Sequence, residues 1–324
     1  MSPAILHRIL VPTPFVVGPV NVFVLKSDPV TLIDTGTRCE ESYNVLVHGL
    51  KELGLAVSDL RRILLTHHHA DHTGLAARLG EESGAEVWGH PRMIEQAELG
   101  HRHDEAQHQF FLDIMTEFGV PEETMKRSMA LWDSFKSYTE RFVPTGAYTH
   151  GALTGPFRTW FVPGHSVTDT LLVNEEEGYT VVGDHILETF NPNPLMRRPL
   201  AGQPRQHSLV EYRASAAFSR GLKLGLCYPG HGEPFDDHVK VLDGILSQHD
   251  RRNRRLLERI KAEGMTPFEA SQVLYPRLQM EHLYLGLSIA TGQLELLEHM
   301  RRVYSRMERD VVRYYLCETS TPDA

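Results

Sequence analysis

The feature that most constrains this chain is a run of metal-ligand side chains placed directly after a buried strand. The apolar stretch Arg62-Ile63-Leu64-Leu65 is followed at once by Thr66-His67-His68-His69-Ala70-Asp71-His72-Thr73-Gly74. Side chains at positions i and i+2 of an extended segment point the same way. His67 and His69 can therefore approach one metal ion while His68 points elsewhere. Asp71 and His72 can turn toward a second position where the next helix begins.

Three later residues of the metal-ligand type also follow predicted strands. His165 lies in Pro163-Gly164-His165-Ser166, Asp184 follows Val181-Val182-Gly183, and His231 lies in Pro229-Gly230-His231-Gly232. Each stands beside a glycine, where the backbone can bend and approach a site closely. Open α/β folds gather their sites at such strand ends. Singly each of the three would be an ordinary loop residue, but together with the histidine run they predict a metal site.

Strands and helices alternate along the first 90 residues, which predicts an α/β architecture. Strands are expected at 20–25, 30–33 and 86–89, and helices at 40–54 and 74–80. Residues 92–145 interrupt the alternation with a helical pattern rich in Glu, Gln, Met and Phe, and we interpret them as a helical insertion. Extra core packing and a lid over the site are both open interpretations of this insertion. From about residue 240 the chain predicts a charged helical tail, with helices near 239–263, 267–274 and 290–315.

The ordered set of motifs resembles the metallo-β-lactamase superfamily. Its members share an aspartate motif, here Ile33-Asp34-Thr35-Gly36, then the HxHxDH run, then the counterparts of His165, Asp184 and His231. The resemblance covers roughly residues 10–235 and implies an αββα sandwich with metals at one edge. We therefore expect a metallo-β-lactamase domain over 1–238, including the insertion, and a helical C-terminal module over 239–324. A winged-helix-like form of that module loosely fits the tails of related proteins.

The resemblance also implies a role for each motif residue. His67, His69 and His165 would bind one metal; Asp71, His72 and His231 would bind the other; Asp184 would bridge the two. Asp34 would support the ligand loop from behind. Asp71 and Asp184 are the expected catalytic residues. The expected cofactors are two divalent metal ions, zinc on family grounds, although histidine and carboxylate donors also suit iron or manganese.

The sequence around the bridging position narrows the resemblance further. His69 stands where the oxygen-reducing di-iron members carry glutamate, and Asp184 stands where zinc β-lactamases carry cysteine. Gly183-Asp184-His185, with Asn191-Pro192-Asn193 after it, is similar to the glyoxalase II-like hydrolases and to the group related to β-lactamase-like protein 2. His185 either faces the substrate or packs behind the strand, and both interpretations are open.

These features predict a hydrolase in which a metal-bridging hydroxide attacks a small-molecule carbonyl substrate, an ester, thioester or lactone. The alternative is a metal-dependent ribonuclease or phosphodiesterase, suggested by the related tail-bearing group and by the RRNRR run at 251–255. A third class comprises a non-catalytic metal protein or an iron oxygenase that leaves one metal position empty.

Composition limits the partners. The net charge of −9 opposes the basic stripe that nucleic-acid binding needs, so the expected partner is a small-molecule substrate. No run approaches the roughly 20 apolar residues of a membrane span, and the first residues lack signal-peptide features. A cytoplasmic protein without a membrane partner is expected, and a homo-oligomer is left open. Three cysteines, Cys39, Cys227 and Cys317, form no CxxC pair, which argues against a disulfide framework and a thiolate zinc site.

Overall fold

Two β-sheets form the centre of the N-terminal fold in the computed structural model, which describes residues 6–93, 95, 105–132, 138, 142–199 and 203–317. The first sheet has the order β1-β2-β3-β4-β5-β6, and β3 to β6 run parallel to one another. Its strands are Leu6–Val11, Val20–Leu25, Thr31–Ile33, Arg62–Leu64, Glu86–Gly89 and Gly146–Ala147. The second sheet has the order β11-β10-β9-β8-β7, in which only β10 and β11 pair in parallel. Its strands, from β7 to β11, are Leu153–Thr154, Phe157–Phe161, Thr170–Asn174, Tyr179–Gly183 and Leu226–Pro229.

Strand β2 shows how the layers arise from the sequence. All six of its residues are buried, and successive side chains face opposite sides of the sheet. Val22 and Val24 pack in a core that also contains residues of α1 (Glu40–Glu52) and α3 (Ala76–Ser83). Phe23 and Leu25 pack in a second core, together with residues of β8, β9 and β10 from the other sheet. One face of the sheet therefore packs against helices, and the other face packs against the second sheet.

The outer face of the second sheet is covered by the C-terminal half of α6 (Ser208–Arg220). Ser215 donates a hydrogen bond to the carbonyl of Pro163, and the ring of Phe218 lies 5.4 Å from the ring of Trp160 on β8. The order helix, sheet, sheet, helix confirms the predicted αββα sandwich. None of the described helices combines the length and apolar character needed to cross a bilayer.

The described chain divides into two compact units. The first lies within residues 1–102, 136–192 and 215–242, and the second within 103–135, 193–214 and 243–324. The boundaries at 214/215 and 242/243 fall inside α6 and inside α7 (His238–Leu257). The described helices of the insertion therefore belong to the second unit, together with the C-terminal elements. The sequence had predicted residues 92–145 as part of the first domain.

The second unit has its own apolar core. Its elements are α4 (Glu105–Glu117), α5 (Glu122–Trp132), α8 (Pro267–Leu274), α9 (Leu283–His299), the C-terminal part of α7 and the strands β12 (Val303–Glu308) and β13 (Val311–Leu316). Phe111, Ile114 and Met115 of α4 are buried in this core with residues of α8 and α9. Core packing therefore accounts for these insertion side chains, and the lid stays a prediction. Residues 94, 96–104, 133–137 and 139–141 of the insertion lie outside the described residues.

The C-terminal module contains a hairpin that the helical prediction missed. Helix α9 ends at His299, so the helix predicted over 290–315 is wrong beyond that residue. Strands β12 and β13 pair from Val303 with Leu316 to Glu308 with Val311, leaving a two-residue turn. Both turn residues have positive φ, 50° at Arg309 and 68° at Asp310, as a type I′ hairpin turn requires. The valines and tyrosines of this segment favour a strand over a helix.

Candidate metal centre

The seven predicted ligands all follow strands that end at the same edge of the sandwich. His67, His69, Asp71 and His72 lie between β4 and the end of the short helix α2 (Ala70–Thr73). His165 follows β8, Asp184 follows β10 directly, and His231 follows β11. Strands β10 and β11 are parallel neighbours, so their following residues emerge side by side. The structure thus brings together residues that are up to 164 positions apart in the chain, 67 to 231.

Ligand atoms from these residues form three overlapping groups, each with all its atoms within 4.8 Å of one another. The groups are His67, His69 and His165; His67, His72 and Asp184; and Asp71, His72 and His231. In the first group, His69 Nδ1 lies 3.0 Å from His67 Nε2 and 2.9 Å from His165 Nε2. In the third, Asp71 Oδ2 lies 3.3 Å from His231 Nε2. All seven residues are more than nine-tenths buried.

Asp184 occupies the middle of the cluster. Its Oδ2 atom lies 3.5 Å from His165 Nε2 and 3.6 Å from His231 Nε2, and its Oδ1 atom lies 3.5 Å from His72 Nε2. His165 belongs to one of the predicted ligand sets, and His72 and His231 belong to the other. The carboxylate therefore stands between the two sets, with Oδ2 near a histidine of each set and Oδ1 near His72.

Asp34 binds the backbone and side chains behind the cluster. Its Oδ1 accepts a hydrogen bond of 2.8 Å from the backbone N–H of Thr66. Its Oδ2 accepts from Thr66 Oγ1 and from His72 Nδ1, each at 2.8 Å. Because Nδ1 of His72 is held by Asp34, its Nε2 faces the cluster. Asp34 itself has a φ of 59°, a conformation that is uncommon for a residue other than glycine.

Hydrogen bonds also orient two more imidazole rings. Thr66 Oγ1 uses its proton on Asp34, so it accepts from Nδ1 of His67 over 3.1 Å. His231 donates from Nδ1 to the carbonyl of Pro19 over 2.8 Å. In both rings Nε2 is then the unprotonated nitrogen of the neutral form, and it is directed into the cluster. These are the tautomers that metal coordination requires.

Glycine and asparagine residues let the strand ends approach. A Cβ atom at Gly230 would lie 2.2 Å from Asp184 Oδ1 and 2.7 Å from His72 Cε1, so a side chain there would displace these ligands. Asn21 donates from its side chain to the carbonyls of Pro229 and Gly232, at 2.9 and 2.8 Å. Sequence reasoning missed Asn21. Its signal in the sequence was one polar residue inside the otherwise apolar segment Val20–Leu25.

The electrostatics favour charged carboxylates and at least one neutral imidazole. Burial opposes ionisation of Asp184, but His231 and His72 outweigh it and hold the pKa of this carboxyl below its usual value. Burial likewise disfavours the charged ring of His72, but Asp184 and Asp34 raise its pKa well above the usual value. Burial, aided by the neighbouring histidines, lowers the pKa of His67 well below its usual value. His67 is therefore neutral and offers a lone pair.

Two other histidines beside the ligands have partners elsewhere. Nδ1 of His68 lies 2.7 Å from Thr168 Oγ1, and the backbone N–H of His68 donates to the same oxygen over 3.0 Å. His68 belongs to none of the three ligand groups found among the described residues. Nε2 of His185 lies 2.9 Å from Ser219 Oγ on α6, and the ring is 1% exposed. Of the two interpretations of His185, this contact favours packing behind the strand.

The residues present fit a divalent cation. Nε2 of His72, Nε2 of His231 and Oδ1 of Asp184 are buried and have no hydrogen-bond partner in the described part of the chain. Buried polar atoms nearly always have a partner, and leaving one without costs about 1–3 kcal/mol. A cation bound between them would supply that partner, and neutral imidazole with carboxylate is a donor set suited to a divalent transition metal.

Comparison with known proteins agrees with this geometry. A Bacillus subtilis (strain 168) protein named "Probable metallo-hydrolase YqjP" is 30% identical over 309 residues, 94% of this chain and 96% of that protein. The crystal structure of a metallo-beta-lactamase family protein from Thermus thermophilus superposes with a TM-score of 0.80 at 26% identity, covering 96% of this chain and 98% of that one. The thioesterase pkgB of Emericella nidulans is 24% identical over 226 residues, 69% of this chain and about half, 49%, of that protein.

These relatives identify the superfamily and do not assign the glyoxalase II-like subgroup. The family model described as "Metallo-beta-lactamase superfamily" matches residues 16–231, which include every ligand-type residue of the cluster. A sandwich of this topology, a cluster of buried histidines and aspartates at its edge, and this match lead to one conclusion. The chain belongs to the metallo-beta-lactamase superfamily and is a metal-dependent hydrolase that binds divalent metal.

Proposed function

We propose that the chain is a dinuclear hydrolase of small carbonyl substrates, namely esters, thioesters or lactones. The observation that carries the proposal is the position of the Asp184 carboxylate between two donor sets, 3.5–3.6 Å from histidines of both. A carboxylate with histidines of both donor sets at this distance is a ligand that two adjacent metals can share. The similarity to a fungal thioesterase supports the choice of an acyl substrate.

In this proposal His67, His69 and His165 would hold one ion, Asp71, His72 and His231 would hold the other, and Asp184 would serve both. The donor set contains no thiolate, and we propose zinc as the metal. Zinc ions at such a site would supply a hydroxide near neutral pH and a Lewis acid for the carbonyl oxygen. The protein's own residues keep the donors in place: Asp34 orients His72, and Thr66 orients His67.

Asp71 is the residue that we propose to move the proton. Its side chain is 10% exposed, more than that of Asp184 at 7%, and its Oδ2 lies 3.3 Å from His231 Nε2. A carboxylate at this position would accept a proton from the attacking water. It can then deliver the proton to the departing alcohol or thiol. Hydrolysis thus leaves the carboxylate in its starting state.

The test measures metal content and substrate class on the same preparation. Protein purified without chelator is expected to contain about two zinc ions per chain by elemental analysis. It is then assayed with thioesters, p-nitrophenyl esters, lactones, phosphodiesters and single-stranded RNA. Turnover of carbonyl substrates that is lost with chelator and restored by metal supports the proposal. Cleavage of RNA or phosphodiesters alone, or a single metal per chain, would overturn it.

Two substitutions test the ligand assignment. Asp184→Asn keeps the side-chain shape but removes a negative charge, so we expect weaker binding of one metal and a fall in kcat of about 10²-fold or more. His68→Ala is the matched change of a neighbouring residue outside the ligand groups, and it should retain the metal content. If Asp184→Asn keeps both metals and full activity while His68→Ala loses them, the assignment is wrong.

A further inference from the structure

His90 lies beside the cluster without belonging to it. It is the first residue after β5, and β5 pairs in parallel with β4 so that Trp88 lies opposite Leu64. Two residues further along this register, His90 stands level with Thr66. Alternation along the strand puts His90 on the face of Trp88, which packs toward the second sheet. His90 therefore lies between the sheets at the edge where the metal ligands emerge.

Contacts with the second sheet place His90 on the side of His67 and His165. The centroid of its ring lies 4.1 Å from that of Phe161, the last residue of β8. Phe161 pairs with Thr170, whose N–H donates to the carbonyl of Thr66 over 2.9 Å. His67 is the residue after Thr66, and His165 lies four residues after Phe161. The His90–Phe161 pair thus adjoins the first donor set.

The protonation of His90 is set by the backbone. The N–H of Arg92 donates to Nδ1 of His90 over 3.0 Å, and a backbone N–H can only donate. The proton of the neutral ring is therefore on Nε2. Burial, aided by the charge of Arg92, lowers the pKa of His90 to about 4, so the ring is neutral at pH 7. Its Nε2–H has no hydrogen-bond partner among the described residues, although the ring is only 8% exposed.

We propose that His90 is a specificity-determining residue whose Nε2–H donates a hydrogen bond to an oxygen on the acyl chain of the substrate, while the ring of Phe161 packs against the carbon skeleton. This inference rests on the proposed carbonyl hydrolase function. A neutral imidazole held in one tautomer, with Nδ1 already occupied, is a donor only, so it selects an oxygen acceptor on the chain. Phe161 is half-buried and offers apolar surface next to that donor.

The test uses a matched pair of thioesters in the metal-loaded protein. Acetoacetyl and butyryl thioesters of N-acetylcysteamine differ by one acceptor oxygen on the acyl chain. His90→Phe keeps a ring against Phe161 but removes the donor, and His90→Gln can place an amide N–H close to the position of Nε2. The control His48→Gln changes an exposed histidine on α1, whose side chain is 72% exposed.

We expect His90→Phe to lower kcat/KM for the acetoacetyl thioester about tenfold, mainly through KM, and to change the value for the butyryl thioester little. His90→Gln should restore much of the preference, and His48→Gln should match the unsubstituted protein. The metal content of all variants should be equal. If His90→Phe affects both thioesters equally, or neither, the inference is wrong while the proposed function stands. If the unsubstituted protein hydrolyses no carbonyl substrate, the proposed function fails and this inference fails with it.

Discussion

Gly230→Ala is a test of the site geometry that involves no ligand atom. The backbone at Gly230 is not among those with positive φ, so it can accept alanine. The added Cβ would nevertheless lie 2.2 Å from Asp184 Oδ1. The loop cannot easily withdraw, because the N–H of Gly230 donates to Gly183 over 2.8 Å and its carbonyl accepts from Asn21 over 2.7 Å. The carboxylate must therefore move instead.

The required movement is large for a metal ligand. A non-bonded carbon and oxygen need more than about 3 Å, so Asp184 Oδ1 must shift by about 1 Å. Metal–ligand distances tolerate only about 0.2 Å. A displacement of about 1 Å at a reacting centre can cost about 10² in rate, and disturbed support of a ligand costs about 10–100-fold in metal affinity. We expect losses of this size in kcat and in metal binding.

The assay compares Gly230→Ala with Gly244→Ala. A Cβ at Gly244 would meet nothing within 4 Å, and the residue lies inside the helix α7. The control should therefore retain activity and gain about 0.5–1 kcal/mol in the free energy of unfolding. Metal per chain, kcat and thermal unfolding are measured for both. If Gly230→Ala retains the metal content and kcat of the unsubstituted protein, the close packing of Asp184 does not control the site.

Three further predictions concern buried groups. Asn21→Ala should lower the free energy of unfolding by about 2 kcal/mol in chemical denaturation, because the buried carbonyl of Pro229 and the half-buried carbonyl of Gly232 lose their donor. An unchanged value would show that Asn21 does not anchor the loop. Burial raises the pKa of Cys227 to about 12. At about pH 8 a thiol reagent should therefore leave Cys227 unmodified until the protein unfolds. Labelling of Cys227 in the native protein would contradict its burial. Burial, aided by Arg252 and Arg213, lowers the pKa of His249 to about 3, so below pH 6.5 the unfolded chain binds a proton that the folded protein does not. The free energy of unfolding should therefore fall as the pH is lowered. His249→Gln should reduce the fall between about pH 7 and pH 5 by about 2 kcal/mol relative to the unsubstituted protein. An equal fall in both proteins would refute this account of His249.

Local spacing in the sequence was enough to predict a metal site and its candidate residues, and the family resemblance implied which metal each residue would bind. The i, i+2 relation of His67 and His69 follows from an extended backbone, and His165, Asp184 and His231 all follow strands. The bounds of α8 were predictable as well, because Thr266 and Glu269 form a capping box before and after Pro267. These features depend on residues near one another in the chain, so a single sequence reveals them.

Only the tertiary structure decided what supports those residues. The donor to the carbonyls of Pro229 and Gly232 is Asn21, which lies 208 and 211 residues away from them in the chain, and no local pattern relates them. The close approach of Gly230 to Asp184 and the packing of His90 on Phe161 likewise join separate strands.

The tertiary structure also decided how the chain divides into two units. Hydrophobic residues at helical spacing predict that Phe111 and Ile114 are buried, but their partners in α8 and α9 follow only from the folded second unit. The valines and tyrosines after His299 favour strands. The pairing of Tyr314 with Met265, which lies 49 residues before it in the chain, follows only from the folded unit. Contacts between distant segments add their free energy only after the chain has folded, and for that reason local propensity could not reveal them.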